Sequence, residues 1–345
     1  MQSVTIGGNQ AGQRLDKFLH KYLPQAGTSF LYKMLRKKNI TLNGKKAQGS
    51  ELLAQGDQVC FFFSDETFDK FTGKDNKAGN SGVHKTAVIE EYRRAYGELT
   101  GIGIVYEDEH VLILNKPSGV LTQKATGGDI SLNEWMIGYL LDRDPGFAAE
   151  LESFRPSVCN RLDRNTSGLV LCGKSLPGLQ FLSQCIRERS VRKFYRAICV
   201  GKLQEPALVK GYLKKDAHRN RVSISTADGI SAIDGGDYIE TAYKPLQVGD
   251  NYTLLEVELI TGKPHQIRAH LAGIGHPLIG DFKYGDQKVN RELQTKYGLN
   301  HQLLRAYRVE FSQTEDPAGI ALSGQSITAP SSEQFERIQK GLGLL

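Results

Sequence analysis

The first part of the chain alternates between amphipathic helical stretches and short extended runs. Over residues 14–23, apolar side chains recur at i, i+3, i+4, i+7 and i+8, which predicts a helix. Ser29 is a candidate N-terminal cap for a second helix over residues 30–38. An Asn-Gly turn within residues 40–47, and a Gly-Asp turn before the apolar run at residues 58–63, predict strands.

The pattern changes at residue 64. Residues 64–98 are polar, rich in Gly, Asn, Asp and Lys, and lack a sustained apolar period. This composition predicts a flexible linker. Within it, residues 86–97 are interpreted either as a short helix or as more linker.

Helical and strand patterns return from about residue 99 onward. Most of the strands are joined by short turns, and the helices are interspersed rather than strictly alternating with strands, which favours an α+β domain with a mixed, largely antiparallel sheet flanked by helices. The strand patterns cover residues 102–119, 167–175, 193–201 and 252–261, and the helical patterns cover residues 131–143, 176–189 and 265–275. We therefore predict a small N-terminal α/β module at 1–63, a linker at 64–98 and a large domain at 99–345.

Positive charge is concentrated in the N-terminal module. Residues 1–63, termed the basic head below, carry nine Lys or Arg against three Asp or Glu, a net charge of +6, while the whole chain also sums to +6. The remaining residues are therefore neutral overall. A basic head on a neutral body indicates either a surface that binds a polyanion or a solubilising basic surface.

Several classes of protein are disfavoured by the composition. The chain has no run of about 18 apolar residues, and its N-terminus lacks a basic segment followed by an apolar stretch. Its five cysteines are widely spaced without a CxxC pair, which predicts reduced thiols rather than disulfides or zinc ligands. We expect a cytoplasmic protein, and the absence of a GxxxxGK[ST] motif disfavours an ATP-binding loop.

One short segment carries candidate chemistry. Asp163 lies between Arg161 and Arg164, just before the strand pattern at 167–175. The neighbouring positive charges favour the ionised carboxylate, and an ionised carboxylate can act as a nucleophile on a sugar. From the residues alone, the alternative is an ordinary surface Asp–Arg pair.

The sequence RLDRNTSGL at residues 161–169 resembles the H-R-L-D-x-x-T-S-G motif of the RluA-type pseudouridine synthases. The resemblance implies that Asp163 is the catalytic aspartate and that Arg161 helps to displace the target base from its stack. The chain departs from the motif at Asn160, where the family usually has His.

Three further blocks resemble the same family in order and spacing. NKPSGVLTQ at residues 115–123 is similar to its K-P-x-G block, and RKFYRAICVG at 192–201 is similar to its K-x-Y-x-A block. The second block implies that Tyr195 stacks on the flipped uracil and that its hydroxyl assists proton transfer. GKPHQIRAHL at 262–271 resembles the block whose basic residue pairs with the nucleophile. Arg268 is our choice for that residue, and Lys263 is the reserve candidate.

The basic head resembles the RNA-binding module of ribosomal protein S-four, which commonly precedes this catalytic domain. The resemblance rests on RLDKFL, the basic second helix and the ITLNGKKA turn. Such modules present basic side chains to RNA phosphates. The implied RNA contacts are Lys33, Arg36, Lys37, Lys38, Lys45 and Lys46.

The resemblance implies a pseudouridine synthase that needs no cofactor and no metal. His265 and His270 are five residues apart, about 140° around a helix, which is a poor match to one metal-facing side. The implied partner is structured RNA, with large-subunit (23S) ribosomal RNA favoured over transfer RNA, and we expect a monomer. Whether the intermediate is a sugar adduct, a base adduct or glycal-like stays open.

Two other functions remain as alternatives. The first is an RNA-binding protein with an inactive catalytic domain. The second is a hydrolase of RNA or a glycoside, which would need a second carboxylate within about 5–10 Å of the first.

Overall fold

A computed structural model of the 345-residue chain describes residues 2–72, 81–144, 146–151, 154–216, 221–226 and 236–344. The N-terminal elements are β1 (Gln2–Thr5), α1 (Leu15–Tyr22), α2 (Thr28–Arg36), β2 (Ile40–Leu42), β3 (Lys45–Lys46), β4 (Gln58–Phe61) and α3 (Asp65–Thr72). The elements that follow are α4 (Ser81–Glu98), β5 (Gly103–Glu107), β6 (Val111–Lys116), α5 (Leu132–Arg143), α6 (Phe147–Glu150), β7 (Ser157–Val158), β8 (Ser167–Gly173), α7 (Leu176–Glu188), β9 (Val191–Val200), β10 (Ala207–Asp216), β11 (Arg221–Thr226), β12 (Asp237–Val248), β13 (Tyr252–Leu259), α8 (Gln266–Gly273), α9 (Gln287–Tyr297), β14 (Leu304–Phe311), β15 (Ser326–Thr328) and α10 (Glu333–Gly341).

The N-terminal module has its own core. Its antiparallel sheet has the order β1-β4-β2-β3, and the apolar faces of α1 and α2 pack with it around Phe18, Leu19, Leu31 and Leu35. The helical and strand patterns predicted here are confirmed. The second helix, however, begins at Thr28 behind an extended Gly27 rather than after Ser29.

The remaining strands form one large sheet. In the described part of the chain it contains eleven strands, with the path β11-β10-β12-β13-β9-β14-β8-β6-β5 and with β15 and β7 paired to β14 and β8. The paired strands are antiparallel except β14 and β8, which run parallel. The prediction of an α+β fold with a mixed, largely antiparallel sheet flanked by helices is confirmed.

The central strands are covered on both faces. On β6, Leu112 and Leu114 pack into the core beneath α5, whereas Val111 and Ile113 pack into the core beneath α7. Because successive side chains point to opposite faces of a sheet, burial on both faces requires an uninterrupted apolar run. The same reason accounts for the continuous apolar residues of β8.

Residues 64–98 differ from the predicted linker because they contain two helices. Phe68 on α3 is 5% exposed and joins the core of the N-terminal module, whereas Tyr92 and Ala95 on α4 are buried against α5. Residues 73–80 of the predicted linker lie outside the described residues. Residues 86–97, interpreted either as a short helix or as more linker, belong to α4. The apolar pattern left both readings open because the buried residues among those described, Tyr92 and Ala95, form only a narrow stripe. The domain boundaries stay a prediction.

No helix in the described residues combines the length and the apolar character that crossing a membrane requires.

The contact between α4 and α5 leads to a test of this packing. A Cβ on Gly138 of α5 would lie 2.2 Å from the Tyr92 carbonyl oxygen and 2.8 Å from Tyr96 Cβ. Gly138→Ala should therefore lower the free energy of unfolding by about 1–3 kcal/mol in urea titrations, because the helices must separate. Gly97→Ala on α4 is the matched control. Its Cβ meets no atom within 4 Å, so it should be neutral or stabilise by up to about 1 kcal/mol. Equal effects of the two changes would contradict the close packing.

A buried histidine on α8 predicts a pH dependence of stability. His270 is 1% exposed, its Nδ1 lies 2.7 Å from Thr241 Oγ1, and its Nε2 has no hydrogen-bond partner in the described residues. Burial lowers the pKa of His270 from 6.5 to about 4. Between pH 4 and pH 6.5, the unfolded chain therefore binds a proton at His270 that the folded chain does not bind. The contribution of neutral His270 to stability is complete above pH 6.5. It is lost as the pH falls toward 4, by up to about 1.4 kcal/mol per pH unit.

Chemical denaturation of the wild type and His270→Asn at pH 7, 6, 5 and 4 measures this contribution. The variant should lose less stability than the wild type over that interval. An unchanged slope would show that His270 does not carry the effect.

Candidate active site

The Asp163 loop connects β7 to β8, and hydrogen bonds hold the residues that precede the carboxylate. Asn160 Oδ1 accepts the backbone N–H of Leu171 at 2.7 Å, which folds the loop back along β8. Thr122 Oγ1 donates to the Leu162 carbonyl at 2.8 Å and lies 3.1 Å from the Leu162 nitrogen, whose N–H it accepts. The residue immediately before Asp163 is thereby fixed at both of its backbone polar groups.

A glycine allows the loop to approach β14. Gly168 has a φ of +112°, and a Cβ there would lie 2.0 Å from the Ala306 carbonyl oxygen. Any other residue would therefore both strain the backbone and push the strands apart. The close approach places Thr166 at the foot of the loop, where its Oγ1 accepts a hydrogen bond from Gln302 Nε2 at 3.2 Å.

A buried lysine anchors the loop from behind. Lys116 is fully buried, and its Nζ donates to the carbonyls of Pro117, Val120 and Arg164 at 3.0, 2.8 and 2.9 Å. Burial lowers the pKa of Lys116 to about 7, and the negative charge of Asp163 opposes that change. The bond to Arg164 ties the K-P-x-G turn to the residue that follows Asp163.

Arg268 on α8 joins two carboxylates. Its Nη1 donates to Asp163 Oδ2 at 2.7 Å, while its Nε and Nη2 donate to the two oxygens of Asp281 at 2.8 and 2.9 Å. Asp281 is 1% exposed, and its Oδ1 also accepts the backbone N–H groups of Lys283 and Tyr284. The guanidinium orientation is thus set by Asp281, and the remaining nitrogen points at Asp163.

The protonation states of Arg268 and Asp281 are set by two opposing effects, burial and the charge of the partner. Burial alone would raise the pKa of Asp281, but the hydrogen bonds and charge of Arg268 hold it below its usual value. Burial alone would lower the pKa of Arg268, yet its two carboxylate partners raise it. Both groups therefore remain charged at neutral pH.

The carboxylate of Asp163 faces a cleft with an aromatic wall. Tyr195 on β9 is 4% exposed and lines the cleft beside Asp163, and burial, followed by the charge of Asp163, raises the pKa of its hydroxyl. The apolar part of the wall consists of Leu162, Leu259, Ile267 and Leu304. An aromatic ring and apolar side chains next to a fixed carboxylate suit a planar heterocycle.

The structure brings five predicted site residues to this cleft and leaves six elsewhere. Arg161 is exposed and lines the cleft, as does Lys263, whose Nζ is 2.7 Å from Asp237 Oδ1. Lys263 therefore has a carboxylate partner other than Asp163. The six predicted RNA contacts of the basic head are all exposed and lie outside the cleft: Lys33, Arg36, Lys37, Lys38, Lys45 and Lys46.

Sequence analysis did not assign three residues at or beside the cleft. Lys116 and Asp281 act on the loop and on Arg268 from buried positions, and His265 lines the cleft with Nε2 3.9 Å from Asp163 Oδ2. His265 precedes α8 rather than lying within it, and its ring contacts Tyr284, whereas the ring of His270 contacts Thr241. The signal available for His265 was its place in the HQIR block, where we weighed it as a metal ligand alone.

The chain is similar to known proteins over most of its length. Residues 110–273 match the family described as RNA pseudouridylate synthase. The chain is 30% identical to the ribosomal large subunit pseudouridine synthase C of Vibrio vulnificus (strain CMCP6), over 99% of this chain and 96% of that protein. It is 29% identical to the protein of the same name from Escherichia coli (strain K12), over 97% and 94% of the two chains.

A solved structure shares the fold. The human protein RNA pseudouridylate synthase domain containing 4 matches with a TM-score of 0.53 and 21% sequence identity, over 76% of this chain and 98% of that chain. The similarity over nearly the whole length of the curated relatives shows that this chain belongs to the RNA pseudouridylate synthase family.

Proposed function

We propose that this pseudouridine synthase acts on large-subunit ribosomal RNA, with Asp163 as its reacting carboxylate. The curated relatives that match 97–99% of the chain carry the name of large-subunit enzymes, which supports the choice of RNA. The observation that carries the role of Asp163 is its 2.7 Å hydrogen bond from Arg268 at the cleft wall formed by Tyr195.

The reaction breaks the bond between the ribose and N1 of uracil and joins C5 of the same base to the sugar. The target nucleotide must leave its stack to reach a recessed carboxylate. Arg161, exposed at the cleft, helps to displace the base, and Tyr195 then stacks on it. Arg268 keeps Asp163 charged and oriented toward the glycosidic centre.

A hydrolase with paired carboxylates fits this cleft less well. Asp281 lies across Arg268 from Asp163, but it is 1% exposed and both of its oxygens bind the guanidinium. It is therefore unavailable to activate water or to protonate a leaving group. The geometry favours one reacting carboxylate with a cationic partner.

The basic head supplies a second contact with RNA. Its six predicted contact residues are exposed, and the head carries the whole net charge of the chain. Contacts of this kind neutralise phosphates and release counterions, so they hold RNA without reading its sequence. We assign the head to substrate binding rather than to the chemical step.

The role of Asp163 can be tested by substitution. Asp163→Asn should lower tritium release from large-subunit ribosomal RNA labelled at uridine C5 by at least about 10³-fold, since the nucleophile is lost. Binding of the RNA should change little. Asp250→Asn, which alters a carboxylate whose side chain is 98% exposed, is the control and should retain the wild-type rate.

Release by Asp163→Asn at the wild-type rate would exclude this residue as the nucleophile. If the wild type acts on transfer RNA and leaves ribosomal RNA unlabelled, the proposed substrate is wrong. If it acts on neither, the RNA-binding alternative regains support.

The role of the basic head can be tested in the same way. Lys45→Gln combined with Lys46→Gln should raise the KM for ribosomal RNA and leave kcat unchanged, because the charges act on binding. The slope of log affinity against log salt concentration should become less negative by about 1.5, from about 0.7–0.9 per lost phosphate contact.

The control combines Lys288→Gln with Lys340→Gln, two exposed lysines outside the head. It removes the same charge and should leave the salt slope unchanged. Equal slopes for the two double variants would show that the head is not the RNA-binding surface.

A further inference from the structure

His265 is held in an unusual backbone conformation next to the candidate nucleophile. It occupies the N-cap position of α8 with φ 55° and ψ 13°, in the left-handed region that residues other than glycine rarely adopt. Strained residues of this kind are retained where the surrounding structure fixes them, and they cluster at active sites. Here the conformation places the imidazole in the wall of the Asp163 cleft.

One ring nitrogen is occupied and the other faces Asp163. Nδ1 lies 2.9 Å from the hydroxyl of Tyr284, and Nε2 lies 3.9 Å from Asp163 Oδ2, the oxygen that Arg268 also binds. A distance of 3.9 Å exceeds a hydrogen bond, so Nε2 does not compete with Arg268 for that oxygen. It is placed to exchange a proton with a molecule bound in the cleft.

The surrounding charges favour a neutral imidazole. Burial is the main cause that lowers the pKa of His265, and the negative charge of Asp163 opposes it. The positive charges of Arg268 and Lys283 lower this pKa further, while the charge of Asp281 raises it. The net direction is below 6.5, so the ring is able to accept a proton at neutral pH. The other titratable groups that line the cleft or contact the ring are Tyr195, Tyr284, Lys263 and Arg161.

The reaction requires a base that takes the proton from C5. When C5 joins the sugar it still carries its hydrogen, and the aromatic uracil ring is restored after that proton leaves. Tyr195 is the other candidate in the cleft, but burial raises the pKa of its hydroxyl, which makes its phenolate scarce at neutral pH. The pKa of His265 is instead held below its usual value, so its imidazole is unprotonated at neutral pH and free to accept the proton.

We propose that His265 Nε2 accepts the C5 proton of the rotated uracil, an inference that rests on Asp163 being the reacting carboxylate. The electron pair of the C5–H bond forms the C5=C6 double bond. The π electron pair of the C6=N1 bond moves to N1, and N1 takes up a proton. One proton leaves C5 and one is added at N1, so the isomerisation is balanced and His265 returns its proton to solvent.

His265→Asn is the test variant, because asparagine tolerates the left-handed backbone and does not titrate near neutral pH. Single-turnover rates are measured on ribosomal RNA with hydrogen or deuterium at uridine C5, from pH 5 to pH 8. The variant should be slower by about 10²-fold and should show a larger deuterium isotope effect than the wild type, because loss of the C5 proton becomes limiting. The wild-type rate should fall below pH 6.5, and this fall should be absent in the variant.

His276→Asn is the matched control. His276 follows the same helix, and its Nδ1 donates to the Val200 carbonyl at 2.9 Å, away from the cleft. It should retain the wild-type rate, isotope effect and pH profile. A structural defect would slow the reaction without enlarging the isotope effect.

His265→Gly provides a second variant if the asparagine chain folds poorly, because glycine adopts a positive φ freely. Added imidazole should restore part of its rate in proportion to neutral imidazole. A wild-type rate and profile in His265→Asn would overturn the proposal. The proposal would also be overturned if the isotope effect were enlarged in Tyr195→Phe and not in His265→Asn. That result would assign the base to Tyr195.

Failure of this inference is distinguishable from failure of the Asp163 assignment. If Asp163 is not the nucleophile, Asp163→Asn turns over at the wild-type rate. If His265 alone is misassigned, Asp163→Asn is inactive while His265→Asn behaves as the wild type.

Discussion

The arrangement of the cleft depends on one buried guanidinium. Removing Arg268 from water is costly, and the cost is offset because each of its three guanidinium nitrogens donates a hydrogen bond to a carboxylate oxygen. Asp281 takes the two nitrogens on one edge, so the third has a fixed direction. Asp163 therefore receives its orientation from a residue more than a hundred positions away, which is itself oriented by another.

Two basic side chains restrain the same loop in different ways. Arg268 binds the side chain of Asp163, whereas Lys116 binds the backbone carbonyl of Arg164 from the interior. Since the loop runs between β7 and β8, neither strand alone could hold the carboxylate against the cleft wall. Gln266 fixes the start of α8 in a similar way. Its Nε2 donates to the Glu240 carbonyl on β12, and its Oε1 accepts the Lys263 N–H in the turn before α8.

Much of the fold could be predicted from periodicity, and the exceptions have physical causes. Helices α1 and α7 bury apolar residues that the sequence spaces regularly. Helix α4 has few apolar residues in a regular pattern, and it packs against Gly138 of α5. The presence of a glycine in α5 does not indicate which other helix packs against it, so this contact could not be predicted.

The site was predictable only where its residues fall within recognisable blocks. Asp163, Tyr195 and Arg268 came from resemblance, and the structure brings all three to one cleft. The preference for Arg268 over Lys263 agrees with their contacts in the structure, since Lys263 pairs with Asp237. The contact of Asp281 with Arg268 was not predictable, because it forms only when the turn after α8 folds back on the helix.

The order of strands also determines when the cleft can exist. β14 lies between β9, which carries Tyr195, and β8, which follows the Asp163 loop, although both precede it by more than a hundred residues in the chain. Until residues 304–311 insert between them, the two strands have no partner on their facing edges, and Leu304 is missing from the cleft wall. During synthesis, then, the partly made chain carries Asp163 before the cleft around it is complete. Activity appears as a late event of folding, after the last central strand has emerged from the ribosome.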